Sequence, residues 1–108
     1  MAKYAFTVMA TPKPGTDDDY NEWHKNIHVN DVLDLPGFLS AKRYRLADVS
    51  KGNATTWNFF TIYEVETDDP QAVLAEMGRR YGTEQMPKTD LSDPSKTVSI
   101  MWALESEH

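Results

Sequence analysis

Along the chain, large apolar residues recur at two different periods, and the switches between them divide it into six elements. Residues 3–10 (KYAFTVMA) alternate, with Tyr4, Phe6 and Val8 to one side and Ala5, Thr7 and Met9 to the other, which predicts a strand closed by TPKPG. From Asp17 the spacing lengthens to that of a helix, with Thr16 or Asp17 as cap and the DDD run at the positive end of the helix dipole. Tyr20, Trp23 and Ile27 form the arc expected to face inward. The helix is expected to reach about Leu35, because Pro36 disfavours helical geometry in the residue before it, and Gly37 permits the reversal.

Alternation resumes at 38–46 (FLSAKRYRL), where it puts Phe38, Ser40, Lys42, Tyr44 and Leu46 on one face. ADVSKGNAT has the composition of a hairpin loop. WNFFTIYEV (57–65) is the clearest strand, apolar on both faces, as in a central strand covered twice. Asp69-Pro70 announces a second helix striped by Val73, Leu74, Met77 and Tyr81 and ended by Gly82. Residues 83–95 are a long polar loop in which Met86 and Leu91 are the apolar anchors, and such loops are often lids or dimer arms. KTVSIMWAL (96–104) is the last strand, with Val98, Ile100, Trp102 and Leu104 in register, and ESEH is a frayed tail.

Strand, helix, strand, strand, helix, strand is the split βαβ order. It predicts an α+β, ferredoxin-like βαββαβ fold: an antiparallel four-stranded sheet with both helices on one face. The 108 residues make one domain, 1–108. The other sheet face would carry apolar groups that a monomer should not expose, so a homodimer through the sheet faces is expected, by a self-complementary two-fold contact.

The net charge of −6 argues against nucleic acid as a partner. Short apolar runs and a plain N-terminus argue against a membrane span or signal peptide, and the expected location is cytoplasmic. The absence of cysteine removes disulfides, thiolate ligands and thiol nucleophiles.

The run EWHKNIHVNDVLDLPGFLSAKRYRL resembles the helix-and-strand motif of the dimeric α+β barrel superfamily, in particular its EthD-like members. There, a tryptophan and a helix histidine precede an acidic residue or proline, then P-G-F and a basic strand. GTEQMPKTDLSDPSKTVSIMWAL is similar to the closing loop and strand of small members. The resemblance implies the fold strongly and the reaction weakly, since the superfamily holds isomerases, cyclases, cofactor-free monooxygenases and haem-degrading oxygenases. It carries one role to this chain: His28 matches the histidine that methylmuconolactone methylisomerases and related enzymes use in proton transfer. His24 stands where relatives more often have an aromatic residue.

These observations make His28 the candidate acid or base, opening toward a cavity between helix and sheet, with Asp31 three residues on to orient it. Trp23 and His24 neighbour it as substrate-binding candidates, and Trp57 and Tyr63 are pocket-wall candidates on the strand expected to be central. Arg43 is a candidate for a substrate carboxylate. Each has a plainer reading: helix-edge packing for the histidines, core for the aromatics, a surface ion pair for the arginine. H-x-x-x-H with Asp31 can also be read as three metal ligands, but Lys25 follows His24 and no further ligand is evident. No metal is expected, and the Asp31 and Asp34 spacing leaves little apolar room for haem. No cofactor is therefore expected. The overall expectation is a cofactor-independent enzyme moving a proton on a small aromatic or lactone-like ligand, in an isomerisation, cyclisation or elimination. A non-catalytic binding module and a monooxygenase, cofactor-free or haem-using, are the alternatives.

Overall fold

The computed structural model describes residues 1–52 and 57–108. Four strands, β1 (Ala2–Ala10), β2 (Phe38–Arg45), β3 (Phe59–Thr67) and β4 (Thr97–Ala103), form one antiparallel sheet in the order β2-β3-β1-β4. The first helical region is α-helical over Asp17–Trp23, π-helical over His24–His28 and α-helical again over Val29–Leu33. The junction residues keep right-handed helical angles throughout, so the three segments are one rod, here α1. Helix α2 spans Pro70–Arg80. This is the α+β ferredoxin-like arrangement expected from the order of elements.

Both helices lie on the same sheet face. Phe6, Tyr63 and Val65 from the two central strands pack with Val29, Val32 and Leu35 from α1 and its end, and with Val73 of α2. Phe6, Phe38 and Tyr63 meet edge-on or tilted, with ring centroids 5.6–6.1 Å apart. Burying such side chains is worth roughly 1.5–3 kcal/mol each, which makes this cluster the main source of stability. A second cluster of Ala10, Tyr20 and Phe59 closes the far end, with Leu91 packed on it.

Several local expectations change. α1 stops at Leu33, and Leu35 already lies in a turn whose N–H bonds the Val32 carbonyl. Thr16 is the cap residue, but its hydroxyl donates to the Lys13 carbonyl instead of accepting from the helix. Asp69 caps α2 as expected, its carboxylate accepting from the Ala72 N–H at 3.1 Å. β3 starts at Phe59, so Trp57 precedes it. The loop ADVSKGNAT contains a short 3-10 turn at Asp48–Ser50, and residues 53–56 lie outside the described part.

The largest change is in β2. A bulge between Phe38 and Ser40 shifts the register by one residue, so that Phe38 opposes Val65 while Ser40 opposes Glu64. One extra residue reverses the facing of everything after it. Phe38 therefore shares the helix-covered face with Ala41, Arg43 and Arg45, and not with Ser40, Lys42 and Tyr44.

The opposite face of the sheet carries no helix among the described residues. It presents Met9, Phe60, Ile62, Val98, Ile100 and Trp102, by register with the helix-facing residues. β4 is the telling strand: Val98, Ile100 and Trp102 point away from the helices, and Thr97, Ser99 and Met101 point toward them. That is the reverse of the usual half-buried edge strand. Trp102 is 51 % exposed, with its Nε1–H donating to the Thr7 hydroxyl at 2.8 Å.

Candidate functional site

The π-helical turn is what assembles the site. In a π turn the amide bonds the carbonyl five residues back, as Val29 N–H does to His24, so residues five apart stand one above the other. In a regular helix they would be about 140° apart. Trp23 and His28 consequently stack, with centroids 4.8 Å apart and planes inclined by 18°. The same inserted residue turns the inward face off the expected Tyr20, Trp23 and Ile27 arc: Ile27 is exposed, and Tyr20, His24, Val29 and Val32 are buried. The His24 and His28 rings approach edge to face at 5.3 Å, and Tyr20 stands 5.8 Å from His24.

These rings line a cleft of about 480 Å³ between α1, α2 and the β1–β4 half of the sheet. α1 contributes Tyr20, Trp23, His24, His28 and Val32. α2 and the residue after it contribute Leu74, Met77, Gly78 and Tyr81. The floor is Phe6 and Val8 with Thr97, Ser99 and Met101. The loop after α2 closes the remaining side with Met86, Ser92 and Pro94. Met86 is held there by a bridge to Tyr81 and by the Gly82 N–H donating to its carbonyl at 2.8 Å.

His24 is 3 % exposed and has a specific partner. Nε of Arg43 donates to its Nδ1 at 3.0 Å, and Nη2 of the same guanidinium donates to the Asn21 side-chain oxygen at 2.7 Å. A guanidinium has no lone pair to offer, so Nδ1 must be the acceptor, and the proton of a neutral ring sits on Nε2. Burial, then the neighbouring His28 and the Arg43 charge, pushes the His24 pKa down from 6.5 to about 3. Burial alone pushes His28 down to about 4. Both imidazoles are therefore neutral at neutral pH. Nδ1 of His28 is buried without a hydrogen-bond partner among the described residues. Burial also raises the Tyr20 hydroxyl to about 12.

Of the residues singled out by sequence, Trp23, His24 and His28 meet at this cleft. Asp31 does not join them. Its Oδ2 is buried and unpartnered among the described residues, and burial together with Asp34 raises its carboxyl above the ordinary range. A carboxylate pairing with His28 would have raised the imidazole, whose shift is downward and due to burial alone. Arg43 lies behind His24, outside the cleft lining, with Nε donating to His24 and Nη2 to Asn21. Tyr63 is completely buried beneath Phe6 and Phe38, and half-buried Trp57 is also outside the cleft lining. Among the described residues no group of three or more His, Cys, Asp or Glu side chains converges as a metal site.

The sequence reading missed the α2 and loop walls of the cleft. Leu74, Met77 and Tyr81 were legible as an apolar stripe and Met86 as an anchor, but nothing local joins them to His28.

Fold and cleft together define a ferredoxin-like α+β protein with an internal histidine pair. No protein-family model and no curated protein sequence matches the chain. Solved structures share its fold over nearly the whole length. A candidate monooxygenase of Shewanella loihica PV-4 is 11% identical with a TM-score of 0.67, over 98% of this chain and 97% of that one. A dimeric ferredoxin-like protein of unknown function from Jannaschia sp. CCS1 is 14% identical with a TM-score of 0.60, over 96% and 99%. An EthD (ethyl tert-butyl ether d) family protein of Bacillus halodurans C-125 is 12% identical with a TM-score of 0.52, over all of both chains. The resemblance read from residues 22–46 thus holds at the level of the fold. Among the described residues no helix is long and apolar enough to cross a membrane.

Proposed function

We propose that this protein is a homodimeric, EthD-like enzyme that transfers a proton on a small organic molecule held in the His24–His28 cleft. The observation that carries the reading is the pair of neutral imidazoles, His24 buried and His28 half-buried, at one wall of a cleft otherwise lined by apolar and hydroxyl-bearing side chains. A pocket of this size suits a one- or two-ring ligand, with Trp23 and Tyr81 as flat walls.

His28 enters the reaction unprotonated, as a general base requires. It removes a proton from a carbon next to a carbonyl; the C–H electron pair moves into an enolate, and return of the proton to another carbon completes an isomerisation. Burial weakens an imidazole as a base in the free protein, but the enolate charge that forms beside it favours its protonated state. His24 offers a fixed N–H to the developing oxyanion.

The dimer follows from the apolar face of the sheet, in particular from β4, which turns Val98, Ile100 and Trp102 outward. Covering that face by a second copy satisfies it with a self-complementary contact. The Jannaschia neighbour, described as dimeric, supports the same reading.

The test is hydrogen–deuterium exchange at acidic C–H positions of cyclic ketones and lactones in D2O, followed by proton NMR. The wild type should catalyse exchange on some member of the panel. His28→Phe, which keeps a ring on Trp23, should lose about 100-fold or more. Binding without exchange in the wild type would make the protein a binding module, and dioxygen consumption in place of exchange would make it an oxygenase.

A further inference from the structure

The chemistry of the cleft also restricts what it admits, given the reading that it is the ligand site. Its lining holds no aspartate, glutamate, lysine or arginine among the described residues, and both of its histidines are neutral. A carboxylate or ammonium brought inside would lose its water without gaining a counter-ion, which disfavours its entry. Arg43, on α1's side, stands outside the lining, with its Nε turned to His24 and its Nη2 to Asn21. Lys88 stands over the Tyr81 ring at 5.2 Å from its centroid, and is exposed to water.

What the cleft does offer is an oriented donor. A free imidazole interconverts between tautomers, and only one of them presents a given nitrogen as N–H. Here the guanidinium occupies Nδ1, so the proton is confined to Nε2. The Asn21 side-chain oxygen holds the same guanidinium through Nη2, which fixes its plane. Tyr20, Ser92, Thr97 and Ser99 contribute hydroxyls, but a hydroxyl rotates between donating and accepting. His24 does not have that freedom.

We infer that the ligand is an uncharged ring compound bearing a carbonyl oxygen, which accepts a hydrogen bond from Nε2–H of His24, and that Arg43 is the positioning residue that fixes this donor. This explains why a permanently charged side chain sits against a buried histidine, an arrangement that otherwise only destabilises the ring's protonated form. It also gives the two histidines different duties: His24 always donates, and His28 is left free to accept.

The experiment compares three probes of one shape, 2-acetylnaphthalene, 2-naphthoate and naphthalene, by calorimetry on the wild type, Arg43→Ala and Arg43→Gln. Long-range nitrogen–proton NMR of the histidine rings is recorded on each protein. The wild type should show His24 as the Nε2–H tautomer and bind 2-acetylnaphthalene at least about tenfold tighter than either other probe. Arg43→Ala should release the tautomer into a mixture and reduce 2-acetylnaphthalene to the affinity of naphthalene. Naphthalene binding should not change, which shows that the cleft is intact. Arg43→Gln, which keeps an N–H facing Nδ1, should restore both tautomer and affinity. The inference is overturned if 2-naphthoate binds as well as the ketone, or if Arg43→Ala loses the tautomer while ketone affinity stays. In either case the cleft remains a ligand site and the proposed function stands. Failure of all three probes to bind the wild type overturns both.

Discussion

Burying two neutral imidazoles makes the fold sensitive to acid well above the range in which carboxylates titrate. Both histidines have a folded-state pKa below their ordinary value of 6.5: about 3 for His24 and about 4 for His28. The unfolded chain therefore binds more protons than the folded one in the intervening range, and stability must rise with pH there. It is fully present above about pH 7 and is lost as pH falls below 6.5 toward the two folded values. Between about pH 6 and pH 5 each histidine is largely protonated in the unfolded chain and neutral in the folded one. Each then contributes a slope of about 1.4 kcal/mol per pH unit, and the pair about 2.7. The slope depends only on both folded pKa values lying well below 5, and not on their separation. Asp31, raised by burial, acts in the opposite sense, so about 2.7 is the upper bound. Urea unfolding followed by tryptophan fluorescence, at fixed protomer concentration and several pH values, measures it directly. His28→Phe should halve the slope. Equal stability at about pH 5 and pH 7 would mean that the rings accept protons inside the fold, and the account of a neutral histidine pair would fail.

Three further outcomes follow from the packing. Ile100→Glu puts a charge on the helix-free sheet face and should convert a dimer into monomers, costing about 2 kcal/mol or more of association; light scattering after gel filtration reads it, and a dimer that persists removes the sheet-face interface. Gly37 has φ +89° and a Cβ there would lie 2.8 Å from the Glu66 carbonyl oxygen, so Gly37→Ala should destabilise by about 2 kcal/mol or more in urea unfolding, and no change would mean this turn adapts freely. Met86, 1 % exposed, joins the core while lining the cleft, so Met86→Ala should cost about 2–5 kcal/mol by the same assay, whereas a loss below about 1 kcal/mol would mean the loop does not seal the core.

Elements whose faces are set by simple alternation were readable directly. Phe59, Thr61, Tyr63 and Val65 are buried together, as period-two spacing requires, and Asp69-Pro70 starts α2 by an ordinary cap. What alternation could not reach are the two places where one extra residue is inserted. The bulge after Phe38 turns Arg43 toward α1, and the π turn at His24–His28 brings Trp23 under His28 while turning Ile27 outward. Both irregularities lie in the stretch that builds the site, and neither changes the composition of the sequence around it. The part of Arg43 is therefore invisible to spacing: it meets His24, 19 residues earlier in the sequence, across two elements that each carry an insertion. The far wall of the cleft was hidden for a different reason. Met86, Ser92 and Pro94 belong to a polar loop whose path is fixed by backbone bonds such as Lys13 N–H to the Leu91 carbonyl, which leave no periodic trace.

The claim on which the functional account rests is that the cleft beneath α1 takes up a ligand against the histidine pair. Histidine-selective NMR during titration with a panel of small uncharged ring compounds tests it most directly, with Leu74→Trp as the variant that fills the cleft from α2. The account predicts that binders shift the His24 and His28 resonances together and that Leu74→Trp abolishes the effect. Binders that leave both rings unmoved, or that bind Leu74→Trp equally well, would contradict it.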